Sequence, residues 1–147
     1  MPGSTRFAAA THIMSLLALH RESPQTSETL AASLGTNPAV VRRLLGALAK
    51  SGLTLSDLGK GGGARLAKGP KKITLADIYR AVESPGLIAL PRGAADASCL
   101  VGRNISPALT AVGDAAESAF LASLEAVTLK QFVKEIAADH AAAKSAA

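Results

Sequence analysis

The chain contains no tryptophan, one tyrosine, three phenylalanines and a single cysteine. A lone thiol excludes an intrachain disulfide and any zinc site of several thiolates, so stability must come from packing. Aromatics make up only 3% of the residues while apolar residues reach 48%, much of it alanine. That balance suits helices in close contact rather than a large sheet core. No run approaches the roughly 18 consecutive apolar residues of a membrane-spanning helix, and the N-terminus lacks a basic segment followed by an apolar stretch and a cleavage site. A cytoplasmic location is expected. Catalytic signatures are missing as well: there is no G-x-S-x-G, no carboxylate pair in a recognisable motif and no evident histidine base for the thiol, so an enzyme is not expected. His12 and His20 have no carboxylate or thiol partner at metal-ligand spacing, and no metal site is expected.

Acidic residues are scarce in one stretch. From Arg42 to Lys72 eight cations stand with one anion, Asp57, whereas the rest of the chain carries eight cations and ten anions. The net charge of +5 over 147 residues therefore conceals a segment that holds all of the basic excess. This is the electrostatic footprint of a surface that meets a polyanion.

Within that segment the organising stretch is Thr36 to Lys50. Asn37 can cap a helix with its side-chain oxygen, and Pro38 fits the first helical position, where a missing N–H is harmless. Val41, Leu44, Leu45 and Leu48 form one apolar face, and Gly52 marks the end. The opposite face carries Ala39, Arg43, Gly46 and Lys50 with Arg42 on its flank. Small residues there let the backbone approach a partner closely, and arginine offers a planar donor fork suited to phosphate or to the O6 and N7 of guanine. The face reads as a helix that enters a DNA groove; a solvated basic surface is the alternative.

The preceding segments support the groove reading. A first helix is expected from Ser4 to about His20, with Ala10, Ile13, Met14 and Leu17 on one face; Ser4, Thr5 and Arg6 at its start either hold a phosphate or only cap and solvate it. Thr26 caps a short second helix carrying Glu28 and burying Leu30 and Leu34. Ala31 and Gly35 then give A-x-x-x-G, followed by Val41 and Leu44 on the next helix. Small Ala31 permits a close crossing and Gly35 a left-handed turn, which is the spacing of a helix-turn-helix.

After it, residues 53–55 and 64–67 read as two strands around a glycine-rich turn, a β-hairpin wing in which Gly61 and Gly62 allow close backbone approach to DNA and Lys60 and Arg65 supply charge. A nucleotide-binding loop is the alternative, but the turn lacks G-x-x-x-x-G-K-S/T and no helix follows directly. Ile73 to Ile78 holds a capping box, Thr74 with Asp77, and opens a helix to about Glu83. Residues 84–103, rich in glycine, proline and alanine, are expected to be irregular and carry Cys99.

Ser106 and Pro107 are expected to start the longest helix, to about Ala126, with Leu109, Val112, Ala116, Phe120 and Leu124 on a stripe that needs a partner. An arm of about 20 residues, some 30 Å long, can pair with a symmetry mate. Thr128 and Gln131 repeat the capping device before a last helix to about Asp139. The expected fold is mostly α with a small β-hairpin: a winged helix-turn-helix domain over residues 1–83, a linker over 84–103, a dimerisation helix and terminal helix over 104–139, and a frayed tail over 140–147. A DNA-binding regulator is the first functional reading. The rival is a protein-interaction module whose basic face meets an acidic protein.

The motifs STRFAAATHIMSLLAL, TSETLAASLGTNPAVVRRLLGALAKSGL, GGGARLA, ITLADIYRAVE, VGRNISPAL and VTLKQF span nearly the whole chain. In them the chain resembles the iron-sulfur cluster regulator family of bacterial winged-helix transcription factors, also called the Rrf-two family. The resemblance implies a homodimer joined through the long helix, a two-fold symmetric operator, Arg42, Arg43 and the wing on DNA, and repression as the usual outcome. Two departures stand out. Family members that bind a [2Fe-2S] cluster do so through three cysteines near the start of the dimerisation helix, where this chain has Cys99 alone, and no histidine lies between His20 and His140. No cluster is therefore expected, and no cofactor. In the wing, Leu58, Lys60 and Ala64 stand where relatives often carry an arginine, a proline or alanine, and an aromatic, so a minor-groove arginine is missing. Cys99 is either a redox sensor, its thiol activated by Arg92 or Arg103, or an inert packed thiol.

Overall fold

The helix-turn-helix forms where its local signals place it. In the computed structural model, which describes residues 5–90, 92–93 and 95–146, α2 spans Ser27–Leu34 and α3 spans Pro38–Lys50. Thr26 Oγ1 accepts from the Thr29 N–H at 3.1 Å, and Asn37 Oδ1 accepts from the Ala39 and Val40 N–H groups at 3.0 and 3.1 Å. Between the helices Gly35 sits at φ 65°, a left-handed conformation that a side chain would strain, and the Thr36 N–H closes on the Ala31 carbonyl at 3.0 Å. Ala31 is buried at the crossing, and α3 buries Val41, Leu44, Leu45 and Leu48. Each such aliphatic side chain contributes about 1.5–3 kcal/mol through burial. Helix α1, Thr5–Leu19, buries Ala10, Ile13, Met14 and Leu17 against the same core. Its expected cap, Ser4, lies outside the described residues.

The wing is a two-stranded antiparallel hairpin, β1 Thr54–Asp57 and β2 Gly63–Leu66, in the register Thr54 to Leu66 and Asp57 to Gly63. Leu53, expected as the first strand residue, is instead a buried core residue that ties α3 to the hairpin. The loop after α1 adds a third edge: Gln25 and Ala64 exchange backbone hydrogen bonds of 2.9 and 2.8 Å. A Cβ at Gly63 would fall 2.6 Å from the Gln25 carbonyl oxygen, so only glycine fits.

Two capping boxes stand back to back. In the first, before α4 (Leu75–Val82), Thr74 N–H donates to Asp77 Oδ2 at 2.9 Å and Asp77 N–H to Thr74 Oγ1 at 3.1 Å. Before α6 (Leu129–Ala146), Thr128 and Gln131 make the same exchange at 2.9 and 3.2 Å. The Leu75 N–H donates to the Val127 carbonyl and the Leu129 N–H to the Ile73 carbonyl, at 3.0 and 2.8 Å. Ile73, Ile78 and Leu129 are fully buried beneath these bonds, which fasten the C-terminal helix to the winged domain.

The long helix α5 runs Leu100–Glu125. It begins earlier than Ser106, so residues 100–103 are helical rather than irregular, and Pro107 lies inside the helix rather than at its first position. Proline there removes one N–H from the ladder and leaves the Arg103 carbonyl without its usual helical donor. The last helix also outruns its expected end at Asp139 and continues through the alanine-rich tail to Ala146, in keeping with alanine's helix propensity. Phe7, Tyr79 and Phe120 make an edge-to-face ladder across α1, α4 and α5, with centroids 5.5 and 5.0 Å apart.

Candidate nucleic-acid interface

Because the apolar face of α3 is buried, its other face is presented outward. Ala39, Arg42, Arg43, Gly46 and Lys50 are all exposed, and nothing crowds the space a Cβ would take at Gly46. The two arginines differ in what they touch. Arg42 donates through Nη2 to Glu28 Oε1 on α2, a contact open to solvent on both sides and so worth no more than about 1 kcal/mol. Arg43 and Lys50 have no carboxylate partner among the described residues. Asn37 uses its side-chain oxygen to cap α3, and Thr26 its hydroxyl to cap α2, so these two exposed residues, candidates for DNA contact at the helix starts, also hold both helices in place.

In the wing, Gly59 and Gly61 adopt φ 91° and 80°, and a Cβ on Gly62 would collide with the Asp57 carbonyl. The turn therefore closes tightly and offers bare backbone, with Lys60 exposed at its tip. Arg65 is held along the hairpin: its Nε donates to Asp57 Oδ2 at 2.8 Å and its Nη2 to Oδ1 at 3.3 Å. The single acid of the basic segment thus neutralises one of the wing's two cations and leaves Lys60.

At the start of α1 an acid is already in place. The Glu83 carboxylate accepts from the Phe7 N–H at 3.2 Å and from Arg6 Nη2 at 3.1 Å, and its side chain is only 7% exposed. A carboxylate from the end of α4 thus meets Arg6 and the first turn of α1, where a phosphate was the expectation, and complements the helix dipole; Ser4 lies outside the described residues. The sequence carries no local sign of this pairing, which joins residues 76 and 77 positions apart.

Cys99 is exposed and stands at the N-cap of α5. Although neither makes a capping hydrogen bond to the sulfur, the Gly102 and Val101 N–H groups at the helix start favour its thiolate and hold the thiol below the ordinary cysteine value. The helix start, not Arg92 or Arg103, lowers it. Among the described residues no group of three or more His, Cys, Asp or Glu is placed to hold a metal ion.

The expected dimer stripe divides. Phe120 packs on Tyr79, Leu124 joins the edge of the core, and Leu109 lines a small hollow with Ile88, whereas Val112 is 62% exposed and Ala116 is open. A second stripe, which shares Val112 with the first and gains Val101 and Ile105 from the earlier start of α5, stands wholly outside: Val101, Ile105, Ala108, Val112, Ala115 and Ala119 follow one face and all are exposed. No charged side chain interrupts it. Among the described residues no helix is long and apolar enough to cross a membrane.

Comparison with known proteins agrees with this geometry. Residues 3–135 match the family model Rrf2, described as an iron-dependent transcriptional regulator. The HTH-type transcriptional regulator YwnA of Bacillus subtilis (strain 168) is 32% identical over 133 residues, covering 90% of this chain and 98% of that protein. Among solved structures, a transcriptional regulator from Lactobacillus plantarum superposes with a TM-score of 0.75 at 28% identity, covering 89% of both chains. CymR, the global cysteine regulator of B. subtilis, superposes with a TM-score of 0.63 at 25% identity, covering 92% of this chain and 98% of its own.

Proposed function

Because the chain belongs to the Rrf2 family of DNA-binding transcriptional regulators, we propose that it acts as a homodimeric repressor that reads a two-fold symmetric operator without a bound cluster. The observation that carries this reading is the division of labour on α3, whose apolar face is buried while Arg43, Lys50, Ala39 and Gly46 face outward beside the wing. In the major groove Arg43 provides the base-reading fork, and Ala39 and Gly46 let the helix backbone sit close. Lys60 and the bare glycine turn follow the flanking backbone.

The uninterrupted apolar stripe on α5 supports pairing of two copies, since an exposed face of this kind is satisfied by a like face on a symmetry mate. Two-fold symmetry in the protein is matched by two-fold symmetry in the DNA, with α3 of each copy in successive major grooves. Cys99 serves as the oxidant-responsive group at the head of the dimer arm, its thiolate favoured by the helix start.

Sedimentation and duplex titration test the reading together. A dimer that binds random duplex at low salt, with affinity falling steeply as salt rises, is the expected result. A monomer at micromolar concentration would overturn the dimer, and no binding to duplex even at low salt would overturn DNA as the partner of the basic face.

A further inference from the structure

The positive charge of residues 42–72 does not form one surface. Arg42, Arg43 and Lys50 lie on α3 and Lys60 at the wing tip, but Lys68, Lys71 and Lys72 follow β2 at the base of the hairpin, where Thr54 pairs with Leu66. Two cations distant in sequence join them there, Arg21 in the turn after α1 and Lys130 at the start of α6. Arg21, Lys71, Lys72 and Lys130 line a hollow of about 390 Å³. Arg21, Arg65 and Lys68 line a neighbouring one of about 280 Å³, and the two share Arg21 and Gly69.

No carboxylate lines either hollow, and Glu22, next to Arg21 in sequence, faces neither. Of the six cations only Arg65 has an acidic partner among the described residues. Cations that line adjoining hollows with no acid among them raise the local positive potential and so the local concentration of anions. Lysine ammoniums and an arginine fork are the donors that hold phosphate oxygens through charge-assisted hydrogen bonds. Together the two hollows fall within the size range of about 300–1,000 Å³ usual for small-molecule sites.

We infer that this double hollow binds a small free anion carrying two or more phosphate groups. Its walls come from the end of α1, the 3-10 turn Pro70–Lys72 and α6. An occupant therefore bridges the winged domain and the helix that returns from the dimer arm, beside the paired capping boxes.

Calorimetric titration of the full chain with phosphate, pyrophosphate and tripolyphosphate at low salt, without DNA, tests the inference independently of the operator reading. Affinity is expected to rise along that series and to fall at least about tenfold for tripolyphosphate in Lys71→Ala/Lys130→Ala, as loss of two charge-assisted contacts requires. Both residues are exposed, so the variant is expected to keep its circular dichroism and melting temperature. The salt dependence of its binding to random duplex should match that of the parent. Absence of tripolyphosphate binding, equal binding by the variant, or a shallower duplex salt slope in the variant, which would assign these lysines to the DNA backbone, overturns the inference.

Discussion

Helices α3 and α5 are both amphipathic, but they dispose of their apolar faces in opposite ways. In 13 residues α3 buries Val41, Leu44, Leu45 and Leu48; in 26 residues α5 buries only Gly113. The outward face of α3 is cationic and that of α5 is apolar, with Val101 63% and Val112 62% exposed. A helix whose apolar face is satisfied within its own chain is free to present polar chemistry to DNA. One whose apolar face is left outside must find a second protein surface. In the proposed function, reading and pairing fall to different helices, which the aromatic ladder and the bridged capping boxes join to one core.

The largest effect expected from this contrast is on folding. Leu48→Ala, at a fully buried position of α3, should lower stability by about 2–5 kcal/mol in urea denaturation. Val112→Ala should cost under about 1 kcal/mol within the chain and appear instead as a weaker dimer in sedimentation. Equal destabilisation by the two would remove the distinction. Next in size, Arg43→Ala should weaken operator binding by about 1–3 kcal/mol while leaving the fold and the dimer intact.

A smaller effect sharpens the difference between the two arginines. Glu28 holds Arg42 across α2 and α3, so Glu28→Gln should release the guanidinium and remove an anion beside the DNA. Affinity for random duplex should rise by up to about 1 kcal/mol, with a salt slope steeper by about 1. Unaltered affinity and slope would mean that Arg42 lies outside the contact surface. The smallest expected effect is chemical. With its pKa lowered by the Gly102 and Val101 amides, Cys99 is more ionised at neutral pH than a free cysteine. Its alkylation rate should therefore rise with pH through a midpoint below that of free cysteine titrated alongside it. A midpoint at or above that value would remove the helix start as the activating feature.

The elements legible in the sequence are those specified by neighbouring residues. Asn37 and Pro38 announced α3, Ala31 and Gly35 the crossing before it, and Thr74 with Asp77 and Thr128 with Gln131 the two capping boxes, because caps and turns act over three or four residues. Pro107 misled for a local reason too: proline is most at home in the first turn of a helix, yet here α5 extends past it toward Leu100. Glu83 at the start of α1, Glu28 on Arg42 and the gathering of Arg21 with Lys130 were not legible. Each depends on parts of the chain that only the tertiary fold brings together, and a charge carries no period that would reveal its partner. The candidate DNA face was thus visible as a set of residues, while which of its cations are already paired was not.

If α3 reads base sequence in a two-fold arrangement, selection of bound duplexes from a random pool by the parent and by Arg43→Ala will reveal it. The parent should enrich an inverted repeat with half-sites about one helical turn apart, and the variant should keep the repeat but lose preference at one position in each half-site. Enrichment of no common sequence, or an identical motif from parent and variant, would contradict it.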